Sequence, residues 1–296
     1  MYSKLLSNQT NACIVYTMWK KNGCKTIDID GVLLSYKITG KGIPVLFLHG
    51  WGVDHAIWEN QFEKAVFRKR NKYQRIYFDL PGMGKSVTNH RIHNSDDMLT
   101  VISKFVDFAI GEKHFLLAGE SYGGYLARGL IPERGNRIDG LFLLCPVIFP
   151  DRRVRRNVPR TVLETDLDFM RSLPQDKIKG FSEMSVVQTK EMYRDYCRDI
   201  NVSVAPGNGN FLAELDGAFT KDINDCPYVF EKPALLLAGR QDSAVGFEDQ
   251  YDLFRLFPRA SILILDKSGH NLQIEQKKLF KAAVLDWLDR TYSDNR

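Results

Sequence analysis

The segment Gly119-Glu120-Ser121-Tyr122-Gly123 fits the pattern G-x-S-x-G, and Gly124 follows it. A β-like run, Phe115–Ala118, leads into it and a helical stretch, Tyr122–Leu130, leads out, which is the setting of a nucleophile elbow. In such a turn the serine is held in a tight conformation. Gly119 and Gly123 give it room because they lack a Cβ. A serine hydroxyl is a weak nucleophile at neutral pH and needs a base. His270, in Ser268-Gly269-His270-Asn271, follows the last predicted strand and stands where a base would reach Ser121. The base needs a carboxylate to orient it. Asp242, in Gly239-Arg240-Gln241-Asp242, follows the predicted strand Pro233–Ala238, one helix and one strand before His270. An oxyanion formed at Ser121 needs fixed donors. His49-Gly50-Trp51-Gly52 follows the predicted strand Pro44–Leu48, and its glycines let the Trp51 N–H turn inward. The Tyr122 N–H, at the helix start, is the second donor. Trp51 serves equally as a wall of a substrate pocket, and His49 reads as structural.

The elements that must hold these residues are legible in outline. Short apolar runs alternate with helical patterns, which signals a parallel sheet with crossover helices. Thr26–Asp30 and Val32–Thr39 flank an Asp30-Gly31 turn and predict a hairpin. Arg75–Asp79, Gly140–Cys145 and Ser261–Leu265 predict further strands. Ser95–Ile110 carries a helical apolar stripe at Met98, Ile102, Phe105 and Ala109, and a final helix begins near Glu275. The alternation breaks between about Pro150 and Lys232. Helical patterns at Val162–Leu173 and Ser185–Cys197, punctuated by prolines, predict an insertion whose ends return to the same sheet.

Taken in order, these motifs resemble those of the α/β-hydrolase-fold enzymes, in the serine branch with a helical cap that holds esterases, carbon–carbon bond hydrolases and proline-iminopeptidase-like enzymes. The matching motifs are His49-Gly50-Trp51-Gly52, then Asp79-Leu80-Pro81-Gly82-Met83-Gly84-Lys85-Ser86, then Gly119 to Gly124, Asp242, and Ser268-Gly269-His270. The order Ser…Asp…His is that family's. The resemblance implies an α/β fold with a mostly parallel central sheet and flanking helices. It implies a core of residues 26–149 and 232–290 and a cap at 150–231 that covers the site and selects substrate. It also implies an oxyanion hole formed by Trp51 and Tyr122. Residues 1–25 read as an N-terminal extension outside the core. Haloalkane dehalogenases and epoxide hydrolases of the family carry aspartate at the elbow, so Ser121 disfavours those activities.

The expected activity is hydrolysis of a small-molecule carboxylic ester through an acyl-enzyme, with Ser121, His270 and Asp242 as a triad. A carbon–carbon bond hydrolase acting on a vinylogous diketone uses the same residues. So does an aminopeptidase, for which Glu164, Asp166 and Asp168 are available to bind an α-amine. A ligand-binding protein without turnover fits the same scaffold, because fold alone does not establish function.

Other signals resolve into structure. Gly84-Lys85-Ser86 resembles the end of a phosphate-binding loop, but Asp79 stands where that loop requires glycine. His90, His93, Asp96 and Asp97 suggest a metal site, yet read better as a polar loop and helix start. No G-x-G-x-x-G follows a strand. No cofactor and no metal are therefore expected. The chain of 296 residues is 44% hydrophobic and 26% charged, a globular composition. No run approaches the roughly 20 apolar residues that span a bilayer, and the apolar run Ala12–Trp19 is too short for a secretory signal. Five cysteines without a C-x-x-C pair suit a reduced cytoplasm. The net charge is +5, and basic residues crowd Lys64–Arg75 and Arg152–Arg160. Residues 150–232 nonetheless carry 13 basic against 14 acidic side chains, so the excess lies outside the expected cap and reads as a solubility property. A small-molecule substrate is expected, with neither nucleic acid nor membrane as partner.

Overall fold

Strands β1 (Lys25–Ile29) and β2 (Val32–Thr39) form the hairpin that the sequence predicts. Asp30 and Gly31 turn it with φ of 54° and 82°, the left-handed pair such a tight turn demands. The computed structural model describes residues 23–89, 91–204, 209–215, 223–224 and 228–294. Most of the predicted extension, together with His90, Pro206, Cys226 and Pro227, lies outside the described residues. Lys25 already pairs with Tyr36, so the sheet starts one residue before the predicted boundary.

The chain continues through β3 (Ile43–Leu48), α1 (Ala56–Ala65), β4 (Tyr73–Phe78), α2 (Ser95–Ile110), β5 (Phe115–Glu120), α3 (Tyr122–Arg134) and β6 (Ile138–Leu144). Asn94 caps α2 by accepting from the Asp97 N–H at 2.9 Å, and Asp97 in turn accepts from the His93 N–H at 2.8 Å. The described members of the suspected His/Asp metal cluster are thus a helix start. After β6 the chain makes an excursion and returns as β9 (Ala234–Gly239), once β7 (Glu164–Thr165), α4 (Leu167–Ser172), α5 (Gln175–Met184), β8 (Val187–Gln188), α6 (Lys190–Asp199) and α7 (Gly209–Leu215) have been built. The main chain then closes with α8 (Glu248–Tyr251), β10 (Ala260–Leu265), α9 (Leu272–Glu275) and α10 (Lys277–Asp294). No described helix is long and apolar enough to cross a membrane.

Eight strands lie in the order β1-β2-β4-β3-β5-β6-β9-β10. The two pairings made by β2 are antiparallel and the remainder are parallel. Parallel strands covered by helices on both faces are apolar throughout, which is why β5 and β9 are buried at every residue. Phe47 of β3 stacks on Tyr77 of β4 at 4.9 Å and meets Trp58 and Phe62 of α1. Each such side chain contributes about 1.5–3 kcal/mol on burial. The order reverses between β3 and β5, where the crevice beyond the strand ends is the usual ligand position of open α/β sheets.

In the excursion the two long predicted helices are shorter. Glu164 and Thr165 pair in parallel with Val187 and Gln188 instead, and Asp166 and Thr189 start α4 and α6 by accepting from Phe169 N and Met192 N. The paired residues sit within helical apolar spacing, but the capping side chains fix each start further along. Phe181, fully buried, packs between Tyr193 at 5.2 Å and Tyr196 at 5.4 Å.

Candidate active site

Ser121 follows the last residue of β5 with φ 52° and ψ −116°, a left-handed conformation that few side chains adopt without support. Its main chain is pinned on both sides. Ser121 N donates to Leu144 O at 3.0 Å, while Ser121 O accepts from Gly124, Tyr125 and Val147. A Cβ on Gly119 would come within 2.4 Å of Gly123 O, and one on Gly123 within 2.2 Å of Leu48 O. Both contacts are with backbone, which has nowhere to go. Gly123→Ala is accordingly expected to cost about 3 kcal/mol of stability by overpacking, read as a lower urea midpoint. A midpoint unchanged from the parent would show that the elbow relaxes at no cost. The Ser121 side chain is 8% exposed, and its hydroxyl has no hydrogen-bond partner among the described residues.

His270 and Asp242 meet above this sheet edge. His270 Nδ1 lies 2.9 Å from Asp242 Oδ2. The other oxygen, Asp242 Oδ1, accepts from Ala244 N at 2.9 Å and Val245 N at 3.1 Å, so the buried carboxylate is fixed by the turn that follows it. Burial lowers the imidazole pKa, but the Asp242 carboxylate outweighs it and Glu120 adds to the rise. Arg155 opposes them, and the net position is about 8.

Trp51 and Tyr122 are also brought together. Their rings meet edge to face at 5.1 Å, and Trp51 N has no partner among the described residues. A Cβ on Gly50 would lie 3.3 Å from the Ser121 Cβ, which shows how closely this loop passes the elbow. His49 is buried and holds the loop from beneath. Its Nε2 accepts from Leu80 N at 2.8 Å, which leaves Nδ1 to donate to Gly50 O at 2.8 Å. Desolvation pushes its pKa down to about 4, so it stays neutral and carries out no proton transfer at ordinary pH.

Over residues 45–283 the sequence matches the alpha/beta hydrolase family. The chain belongs to that family. AB hydrolase superfamily protein YisY of Bacillus subtilis (strain 168) is 24% identical over 259 residues, which span 86% of this chain and 95% of that one. A pimeloyl-[acyl-carrier protein] methyl ester esterase of Legionella pneumophila (strain Paris) is 24% identical over 241 residues, 81% and 93% of the two chains. An alpha/beta superfamily hydrolase from Oenococcus oeni PSU-1, of known structure, superposes with a TM-score of 0.81 at 28% identity, over 88% of this chain and 96% of that one.

Several residues around this hydrolase's sheet edge escaped the sequence reading. Glu120 is buried with its Oε2 unpartnered, and burial lifts its carboxyl to about 7. Glu275 bridges two segments. Its Oε2 accepts from Gly269 N at 2.7 Å, and its Oε1 from Val186 N at 2.7 Å. Arg155 donates to Phe149 O and Pro150 O at the start of the excursion. The variable position of the G-x-S-x-G pattern pointed to Glu120 only by place, and no local spacing pointed to Glu275 or Arg155.

Two groups of side chains bring ligand-type atoms within 4.8 Å of one another, Cys145 with Asp242 and His270, and Asp54 with His55 and Asp79. In both, carboxylate oxygens are committed to loops. Asp79 accepts from His55 N, His55 Nδ1 and Lys85 N, and Asp54 from Ala56 N. The Ser86 hydroxyl donates to Asp79 O and accepts from Ser35 N, so the Gly84-Lys85-Ser86 turn is a structural brace.

Proposed function

We propose that this alpha/beta hydrolase is a serine hydrolase that cleaves a small-molecule carboxylic ester. The observation that carries the reading is the Asp242–His270 hydrogen bond at 2.9 Å at the sheet edge that also carries a serine in a strained elbow. Ser121 attacks the ester carbonyl as His270 takes its proton. Asp242 holds the imidazole with its proton on Nδ1 and stabilises the imidazolium. The Trp51 and Tyr122 amides receive the oxyanion. His270 then gives its proton to the leaving alcohol, and a water activated by His270 releases the acid. Residues 150–231 act as a cap over a core of 26–149 and 232–290 and select the acyl group. Relatives named as methyl ester esterases support an ester rather than an amide or a diketone. Cys24, Cys145 and Cys197 are free thiols, which supports a cytoplasmic enzyme.

Only neutral imidazole accepts a proton, and the protonated form prevails below its pKa. With His270 at about 8, kcat/KM for a neutral ester is expected to rise with pH through that value and level off above it. A profile without a break in that region removes His270 from the role of base.

The direct test is labelling of the purified chain with a fluorophosphonate, peptide mapping, and a panel of methyl and p-nitrophenyl esters, aminoacyl amides and vinylogous diketones. Label on Ser121 with ester turnover is the expected result. Ester turnover without that label sinks the triad. Turnover confined to amides or diketones transfers the same residues to a peptidase or a carbon–carbon bond hydrolase. Binding without product across the panel identifies a ligand-binding protein instead.

A further inference from the structure

The basic run that the sequence shows at Lys64–Arg75 does not spread over a helix face. Lys64 from the last turn of α1, Arg68 and Lys69 from the 3-10 turn Phe67–Lys69, Lys72 before β4, and Lys281 from α10 converge on one groove of about 600 Å³. The carboxylate among its described lining residues, Asp289, bonds to Arg70 at 2.6 and 3.0 Å. Lys72 reaches the hydroxyl and ring of Tyr292. Among the described residues, none of the five converging cations pairs with a carboxylate. Several arginines elsewhere are paired. Arg75 pairs with Glu63, Arg134 with Asp107, Arg156 with Asp249, and Arg198 with Asp195.

Uncompensated like charges in a concavity repel one another and focus a positive potential. The C-terminal end of α1 attracts Lys64, which relieves part of that repulsion. A multiply charged anion in the groove relieves all of them at once.

We propose that this groove binds a polyphosphate-bearing small molecule or headgroup. The groove is distinct from the ester site. Ile43 N bonds to Lys72 O where β3 and β4 begin, whereas Ser121 follows the end of β5, roughly 20 Å away across the sheet. Its volume falls in the range of small-molecule sites.

The experiment titrates the full-length chain with inorganic tripolyphosphate and with ATP, followed by calorimetry at rising salt. Binding is expected to weaken as salt rises. A Lys64→Ala/Lys69→Ala/Lys281→Ala variant is expected to bind about tenfold or more weakly, with ester turnover unchanged and a thermal midpoint no lower than the parent's. A Lys177→Ala/Lys179→Ala/Lys190→Ala control of equal charge is expected to bind as the parent does. Sedimentation with phosphatidylcholine vesicles, with and without a phosphoinositide, forms the second arm. Capture by the phosphoinositide vesicles together with tripolyphosphate binding assigns a lipid headgroup, and tripolyphosphate binding alone assigns a soluble ligand. Absence of tripolyphosphate binding overturns the proposal, and so does equal loss in the groove variant and the control.

Discussion

Ser121→Ala is expected to lower kcat for p-nitrophenyl acetate by about 10⁶-fold while leaving the fold intact. The substitution removes a hydroxyl that makes no hydrogen bond to any described residue, so no structural partner is lost. The left-handed backbone at φ 52° is held by Leu144, Gly124, Tyr125 and Val147 through main-chain bonds that alanine keeps. Under the proposed mechanism, what disappears is the acyl-enzyme. Water must then attack directly, helped only by the Trp51 and Tyr122 amides and by substrate binding, which leaves a residual rate above the uncatalysed one. The measurements are steady-state kinetics and a fluorophosphonate titration at matched protein concentration. Retention of a tenth of the activity would place the nucleophile elsewhere.

Asp242→Asn is expected to cost about 10⁴-fold in kcat, and the local hydrogen bonds say why. Asp242 Oδ1 accepts from the Ala244 and Val245 amides, so the asparagine carbonyl oxygen keeps that place. The amide NH₂ is then turned to His270 Nδ1. That nitrogen must become an acceptor, and the ring proton moves to Nε2. The nitrogen meant to receive the Ser121 proton is thus already protonated. Loss of the carboxylate also removes the charge that raises the His270 pKa. A fall of less than tenfold would mean that Asp242 does not set the tautomer. Recovery at high pH by a slower route would be consistent with the role.

The sequence was most readable where function confines chemistry to a short, rule-bound turn. Ser121, Asp242 and His270 each follow a strand, and Gly119 and Gly123 are dictated by backbone contacts closer than 2.5 Å. The strand limits were legible to within a residue or two because buried parallel strands are apolar throughout. Residues that act across the chain were not readable. Glu275 works by bonding to Val186, 89 positions away, and its own neighbourhood offers only an acid in the first turn of a short helix. The two-residue strands β7 and β8 are too short for any periodicity, so the helical spacing runs through them. Basic residues at Lys64–Arg75 were visible as composition, but their convergence needs Lys281, which lies more than 200 positions away.

The excursion between β6 and β9 is fastened at both working loops. Asp54 N bonds to Ser203 O at 2.8 Å and Val53 pairs with Val204, just beyond Trp51. On the other side, Glu275 ties Gly269, the neighbour of His270, to Val186. Such an arrangement limits modular exchange. A chimera that grafts the excursion of a relative onto this core loses both staples unless it keeps an acceptor at position 203 and a main-chain donor facing Glu275. Point changes inside the segment leave both staples in place, whereas its wholesale exchange disturbs the loops that carry Trp51 and His270.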